Sequence, residues 1–109
     1  MPKAVVLMNQ TLDVSERFRV ELKVFEVVSD DKYPKGIKVS FVLIDVIRKV
    51  PRLLIDNHEP FGFHVHEELP ENKNSRRILK VSDFGMALDE FWRLANLILA
   101  GEHLTGDRK

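Results

Sequence analysis

The stretch Asp56-Asn57-His58-Glu59-Pro60-Phe61-Gly62-Phe63-His64-Val65-His66 gathers three of the chain's four histidines beside an aspartate and an asparagine. Imidazole titrates near neutral pH and ligates metals readily, so this segment carries the groups for acid-base work or coordination. In a strand every second side chain shares a face. His64 and His66 would then stand about 6.6 Å apart along the strand, with Phe63 and Val65 on the opposite face. One phosphate, one metal ion or one protein partner could meet both.

Three chemistries fit these residue types. In a metal-independent ribonuclease, one imidazole takes the proton of a ribose 2'-hydroxyl and the other protonates the leaving oxygen. Arg52 or Lys38 would stabilise the phosphorane charge, and Asp56 completes the catalytic candidates with His64, His66 and Arg52. In a metal site, His-x-His with His58 or Asp56 supplies the ligand count for zinc, at about 2.0 to 2.1 Å per nitrogen. The direction of His58 in its loop is not set by the sequence, so the expectation is no resident metal or other cofactor and little stabilisation by zinc. In a binding module, an exposed sheet edge or the histidine face takes a partner segment by strand addition.

The bland alternative is that the histidines are polar residues on the wet face of a half-buried sheet. Asp56 and Asn57 are also favoured where a strand runs into a turn. Arg76 and Arg77, with Lys73 and Lys80, form a basic cluster free of acids that could grip phosphate or be a solvated loop. His58, Asn57, Lys38, Arg76 and Arg77 are therefore binding candidates. Phe91 and Trp92 read as core, and His103 lies outside the argument.

Composition limits the frame for this chemistry. The chain has 109 residues, with 17 basic and 17 acidic side chains and no cysteine. That length supports one domain with a single core, 1–109, with an ordered core of about 3–101 and a loosely ordered tail 102–109. Charge balance argues against grip on nucleic acid through a broad basic surface, because such affinity scales with the phosphates neutralised. Without cysteine there is no disulfide framework or thiolate zinc site. With no signal-type apolar run, a cytoplasmic location is expected, and no segment approaches a membrane span.

The elements follow from periodicity. Ala4 to Met8 reads as a short strand. Phe18 to Val28 alternates through Val20, Leu22 and Val24, with a bulge expected at Phe25-Glu26. Ile37, Val39, Phe41 and Leu43 mark a second long strand, Arg48 and Lys49 a turn, and Pro51 to Asp56 a third strand. Phe61 to His66 gives a fourth, and Glu67 to Asn74 a loop. Ser82 reads as an N-cap before a helix whose stripe is Phe84, Ala87, Leu88, Phe91, Leu94, Ala95 and Ile98, with Gly101 as the stop.

The hairpin register is constrained by parity. Leu53, Ile55, Phe61, Phe63 and Val65 share a face only if paired numbers add to an even total, and a three-residue loop at His58-Glu59-Pro60 achieves this. Asp56 then opposes Gly62, Leu54 opposes His64 and Arg52 opposes His66. The odd face packs under the helix. The even face exposes Arg52, Asp56, His64 and His66, near Lys38 and Ser40.

The Ile55-Asp56-Asn57-His58 strand end, the following His64-Val65-His66 and the closing helix with Asp89-Glu90-Phe91-Trp92 resemble the small TumE-type proteins, toxin components of toxin-antitoxin pairs. The likeness spans roughly residues 3 to 100. It implies a host-inhibitory protein acting on RNA or translation, with a cognate antitoxin as partner and RNA as a target. The neutral charge departs from the simplest form of that expectation. The fold expected is α+β: an antiparallel meander of four or five strands with one long C-terminal helix on its odd-numbered face. Lys23, Lys38 and Pro51 only partly blunt its edges, so a homodimer or antitoxin complex through a sheet edge is expected.

Overall fold

A computed structural model describes residues 5–72 and 74–107, with side chains through residue 101. Its elements are β1 (Val5–Asp13), β2 (Phe18–Glu26), β3 (Ile37–Asp45), β4 (Val50–Asp56), β5 (His64–His66), β6 (Arg77–Ile78) and α1 (Phe84–Asp107). The strands form one open antiparallel sheet in the order β1-β2-β3-β4-β5-β6, a pure meander, with α1 packed across β3 and β4. The fold is α+β, as the periodicity requires. No described helix is long and apolar enough to cross a membrane.

Alternation builds the core. Phe18, Val20, Leu22 and Val24 of β2, Val39, Phe41 and Leu43 of β3, Leu53 and Ile55 of β4 and Val65 of β5 are all buried on one face. Ala87, Phe91, Leu94 and Ala95 close it from the helix, at spacings that keep them on one stripe. Phe91 meets Phe41 edge to face at 5.9 Å. At the β3–β4 turn, buried Asp45 accepts the amides of Ile47 (3.1 Å) and Arg48 (2.9 Å) on one oxygen and the Arg17 guanidinium on the other at 2.8 Å.

Several sequence expectations change. β1 runs to Asp13, well past Met8, and no bulge occurs at Phe25-Glu26; the irregularity falls instead between Val6 and Met8. β2 ends at Glu26, and Phe25 stays opposite Lys38. Lys23, Lys38 and Pro51 lie on interior strands, so they guard no edge; the edges are β1 and β6. β6 itself was not expected. Asp83, one residue after Ser82, is the cap: its Oδ1 accepts the Met86 amide at 2.8 Å and its carbonyl the Ala87 amide at 3.1 Å. Gly101 does not stop the helix, whose backbone continues to Asp107, through most of the expected tail. The tail's last residues, 108 and 109, the first residues of the expected core and strand, 3 and 4, and the side chain of His103 lie outside what is described.

The register change matters most for function. Asp56 pairs with His64, Ile55 with Val65 and Leu54 with His66. This is two residues from the expected pairing, so parity survives while the loop lengthens from His58–Pro60 to the whole of 57–63, and the fourth strand begins at His64 rather than Phe61. Arg52 does not oppose His66. The ladder passes from Leu43↔Leu53 to Ile44↔Pro51, leaving Arg52 as the extra residue of a bulge.

Candidate metal centre

Asp56 ends β4 on the face away from the helix, and its carboxylate organises the chain beyond it. One oxygen accepts the amide of Asn57 at 2.6 Å, and the other accepts Nδ1 of His58 at 3.0 Å. Asn57 is spent on the scaffold. Its Oδ1 accepts the Val39 amide (2.9 Å) and its Nδ2 donates to the Ile37 carbonyl (2.8 Å), so a side chain extends the β3–β4 ladder past Asp56. Both ends of the Asn57 amide are therefore engaged in the sheet.

The loop then turns at Gly62, whose φ of 63° lies in the left-handed region open to glycine. That turn aims the Gly62 carbonyl at His64, which donates to it from Nδ1 at 2.7 Å. His66 donates from Nδ1 to the Ser75 carbonyl at 3.0 Å. All three imidazoles thus have an oxygen acceptor at Nδ1. Nδ1 must carry the proton in each neutral ring, which leaves Nε2 as a lone-pair donor.

The rings form a row. His58 and His64 lie 4.9 Å apart between centroids at 89°, and His64 and His66 5.1 Å apart at 78°. Phe61 packs in T-shaped contact with both His58 (5.9 Å) and His64 (5.6 Å), and the Arg76 guanidinium sits 4.0 Å over its face. Phe61 therefore leaves the expected apolar odd face and joins the histidines.

This arrangement overturns the expectation that His64 and His66 are exposed. They occupy the face away from the helix, as parity requires, yet His64 is 0% and His66 9% exposed. The long 57–63 loop folds His58 and Phe61 back over that face, and the chain at Ser75 supplies the acceptor on the far side. A shorter loop would have left the face wet. Burial pushes the His64 imidazole below its ordinary pKa, against the Gly62 carbonyl and the Asp56 charge, and the neighbouring His58 and His66 add to the depression. Its Nε2 is buried with no hydrogen-bond partner.

Asp56, His58 and His64 each offer a ligand atom, and these atoms lie within 4.8 Å of one another. His66 extends the row behind His64. Tyr33, a residue the sequence did not single out, is buried with its phenol pushed above its ordinary pKa by burial and by the charges of Asp56 and Asp30. The other expected site residues disperse. Arg77 is tied to Glu67 at 2.8 Å, and Arg52 sits in the β4 bulge, two residues from the Leu54↔His66 pair. Lys38 lies on β3 beyond the Ser40↔Asp56 pair, exposed on the outward face. Arg76 is at the site through Phe61. Gly62, Phe61 and Ser75 could be found only by knowing the loop length.

Comparison with protein-family models, curated proteins and solved structures returns no match, so no family is assigned to the chain.

Proposed function

We propose that the protein binds a divalent transition-metal ion at Asp56, His58 and His64. The observation that carries this reading is the buried, unpartnered Nε2 of His64 within a group whose ligand atoms span no more than 4.8 Å. A buried lone pair with no donor costs roughly 1 to 3 kcal/mol, and a cation is one way to satisfy it. Tetrahedral coordination at about 2.0 to 2.1 Å places ligand atoms about 3.3 Å apart, so the group would close by about an ångström or more.

The surroundings support the same reading. Metal-bound histidines commonly donate their other ring nitrogen to a carboxylate or carbonyl, and here the Gly62 carbonyl holds His64 in that way. A set of imidazole nitrogen and carboxylate oxygen without thiolate suits zinc, cobalt or nickel. Three protein ligands leave one position open, the pattern of centres that bind an exogenous group.

The test is metal content and linkage. Tag-free protein incubated with zinc and desalted should retain about one ion per chain, and saturation at 100 times Kd should add about 2.7 kcal/mol of stability. Because ligation needs neutral imidazoles, the gain should be larger at pH 8 than at pH 6 and disappear in His64→Phe. Protein that retains no zinc, cobalt or nickel and gains no stability overturns the proposal.

A second reading keeps the expected toxin chemistry without metal. His58, held by Asp56 at 3.0 Å and with 29% of its side chain exposed, would act as the general base. In that reading the acid-base role moves from the buried His64 and His66 to His58. An RNA 2'-hydroxyl is then its substrate group, and a cognate antitoxin its partner.

A further inference from the structure

We propose that the open position of this centre takes a phosphate group, carried by a small phosphate monoester or by inorganic phosphate, with Lys38 and Arg76 gripping its oxygens. The inference rests on the metal reading above and deepens it. His64 is sealed, whereas His58 is half-exposed, so an exogenous ligand reaches the ion from the His58 side. Two cations frame that side. Arg76 lies over the Phe61 ring, which packs in T-shaped contact with His58, and Lys38 continues the outward face of β3 beyond the pair that Ser40 makes with Asp56.

Neither cation has a carboxylate partner among the described residues, whereas several other arginines do. Arg77 is paired with Glu67, Arg93 with Glu90 and Arg19 with Asp13. A guanidinium seated over an aromatic ring can still donate from its N–H groups, and those donors match the paired oxygens of a phosphate. The acids facing the site are Asp56 and exposed Glu59, whose Oε2 lies beside Gly62. A divalent ion with Lys38 and Arg76 exceeds the charge of these two carboxylates by two. A dianion balances that excess, and a monoanionic carboxylate does not.

The experiment uses the full chain loaded with cobalt, whose visible bands report its coordination. Inorganic phosphate and adenosine 5'-monophosphate are titrated separately, with chloride at equal ionic strength as the control. A saturable change with phosphate groups is expected, and its midpoint should rise about tenfold in Arg76→Ala and in Lys38→Ala, while cobalt uptake stays at the parent level. A lower midpoint for the nucleotide identifies a monoester as the ligand; equal midpoints identify the phosphate group alone. If cobalt binds but phosphate leaves the bands unchanged, or both variants keep the parent midpoint, this proposal is overturned and the metal reading stands. If cobalt does not bind, both fall together.

Discussion

Replacing His64 separates the packing of the cluster from its chemistry. His64→Ala removes a ring that is fully buried and in contact with His58, Phe61 and His66. Aromatic-to-alanine changes in a core cost about 3 to 5 kcal/mol, and the smaller imidazole puts this loss at about 3. The abandoned Gly62 carbonyl adds about 1 kcal/mol, while removal of the unpartnered Nε2 returns about 1 to 2. The net is a destabilisation of about 2 to 3 kcal/mol. His64→Phe keeps a ring of similar size, loses the bond to Gly62 and relieves the same orphan atom, so it should lie within about 1 kcal/mol of the parent. Urea unfolding in the presence of a chelator measures both without a contribution from metal. An alanine variant as stable as the parent, or a phenylalanine variant less stable than the alanine one, would refute the burial of the ring.

Stability should follow pH through His64 and Asp45. The His64 pKa is depressed by burial, so the folded state takes up its proton less readily than the unfolded chain; stability is full above about pH 6.5 and falls as pH drops below it, and His64→Phe should flatten that slope. An unchanged slope in the variant removes His64 as its source. Burial pushes the Asp45 carboxyl up, but Arg17 and the turn amides of Arg48 and Ile47 outweigh it and leave the pKa below the ordinary value. Its contribution is thus present above about pH 4 and lost on further acidification, a loss that should be absent in Asp45→Asn. Phe91→Ala should cost about 3 to 5 kcal/mol, read from the urea midpoint, because the ring is buried against Phe41; a near-parental midpoint contradicts the helix packing. Under the toxin reading, expression should arrest growth of a susceptible host and His58→Ala should relieve the arrest by removing a general base that contributes about 10² to 10⁴ in rate. Undiminished arrest in a folded His58→Ala protein rejects that reading.

What the sequence made legible was whatever follows a period. The alternation of Val20, Leu22 and Val24 against that of Val39, Phe41 and Leu43, and the three-four spacing of Ala87, Phe91, Leu94 and Ala95, lead directly to the helix-covered sheet. Parity also placed Leu53, Ile55 and Val65 on the core side. Parity is blind to a shift of two, and so the loop between Asp56 and His64 was read too short. Burial of His64 depends on that loop, because His58 and Phe61 cover it only when the chain is long enough to fold back. β6 is two residues, Arg77 and Ile78, too few to show any period. Asn57 looked like a ligand because its substitution for a backbone partner of β3 is a tertiary event.

The edge position of β1 sets an order of opening for the molecule. This strand pairs with β2 and is exposed along its length except at half-buried Met8, with Val5, Val6, Leu7 and Leu12 in contact with solvent. Little apolar burial opposes its release, whereas β2, β3 and β4 each contribute side chains to the sealed interior. Native-state hydrogen exchange would therefore divide the sheet. The amides of β1 exchange through local unzipping at a free energy far below that of global unfolding, and those of β3 wait for the whole domain to open. In the unzipped form the hydrogen-bonding groups of β2 that faced β1 lose their partners, and the sheet presents a fresh edge beside a full apolar row. The sparsely populated form of the chain thus exposes an edge that the native state keeps paired.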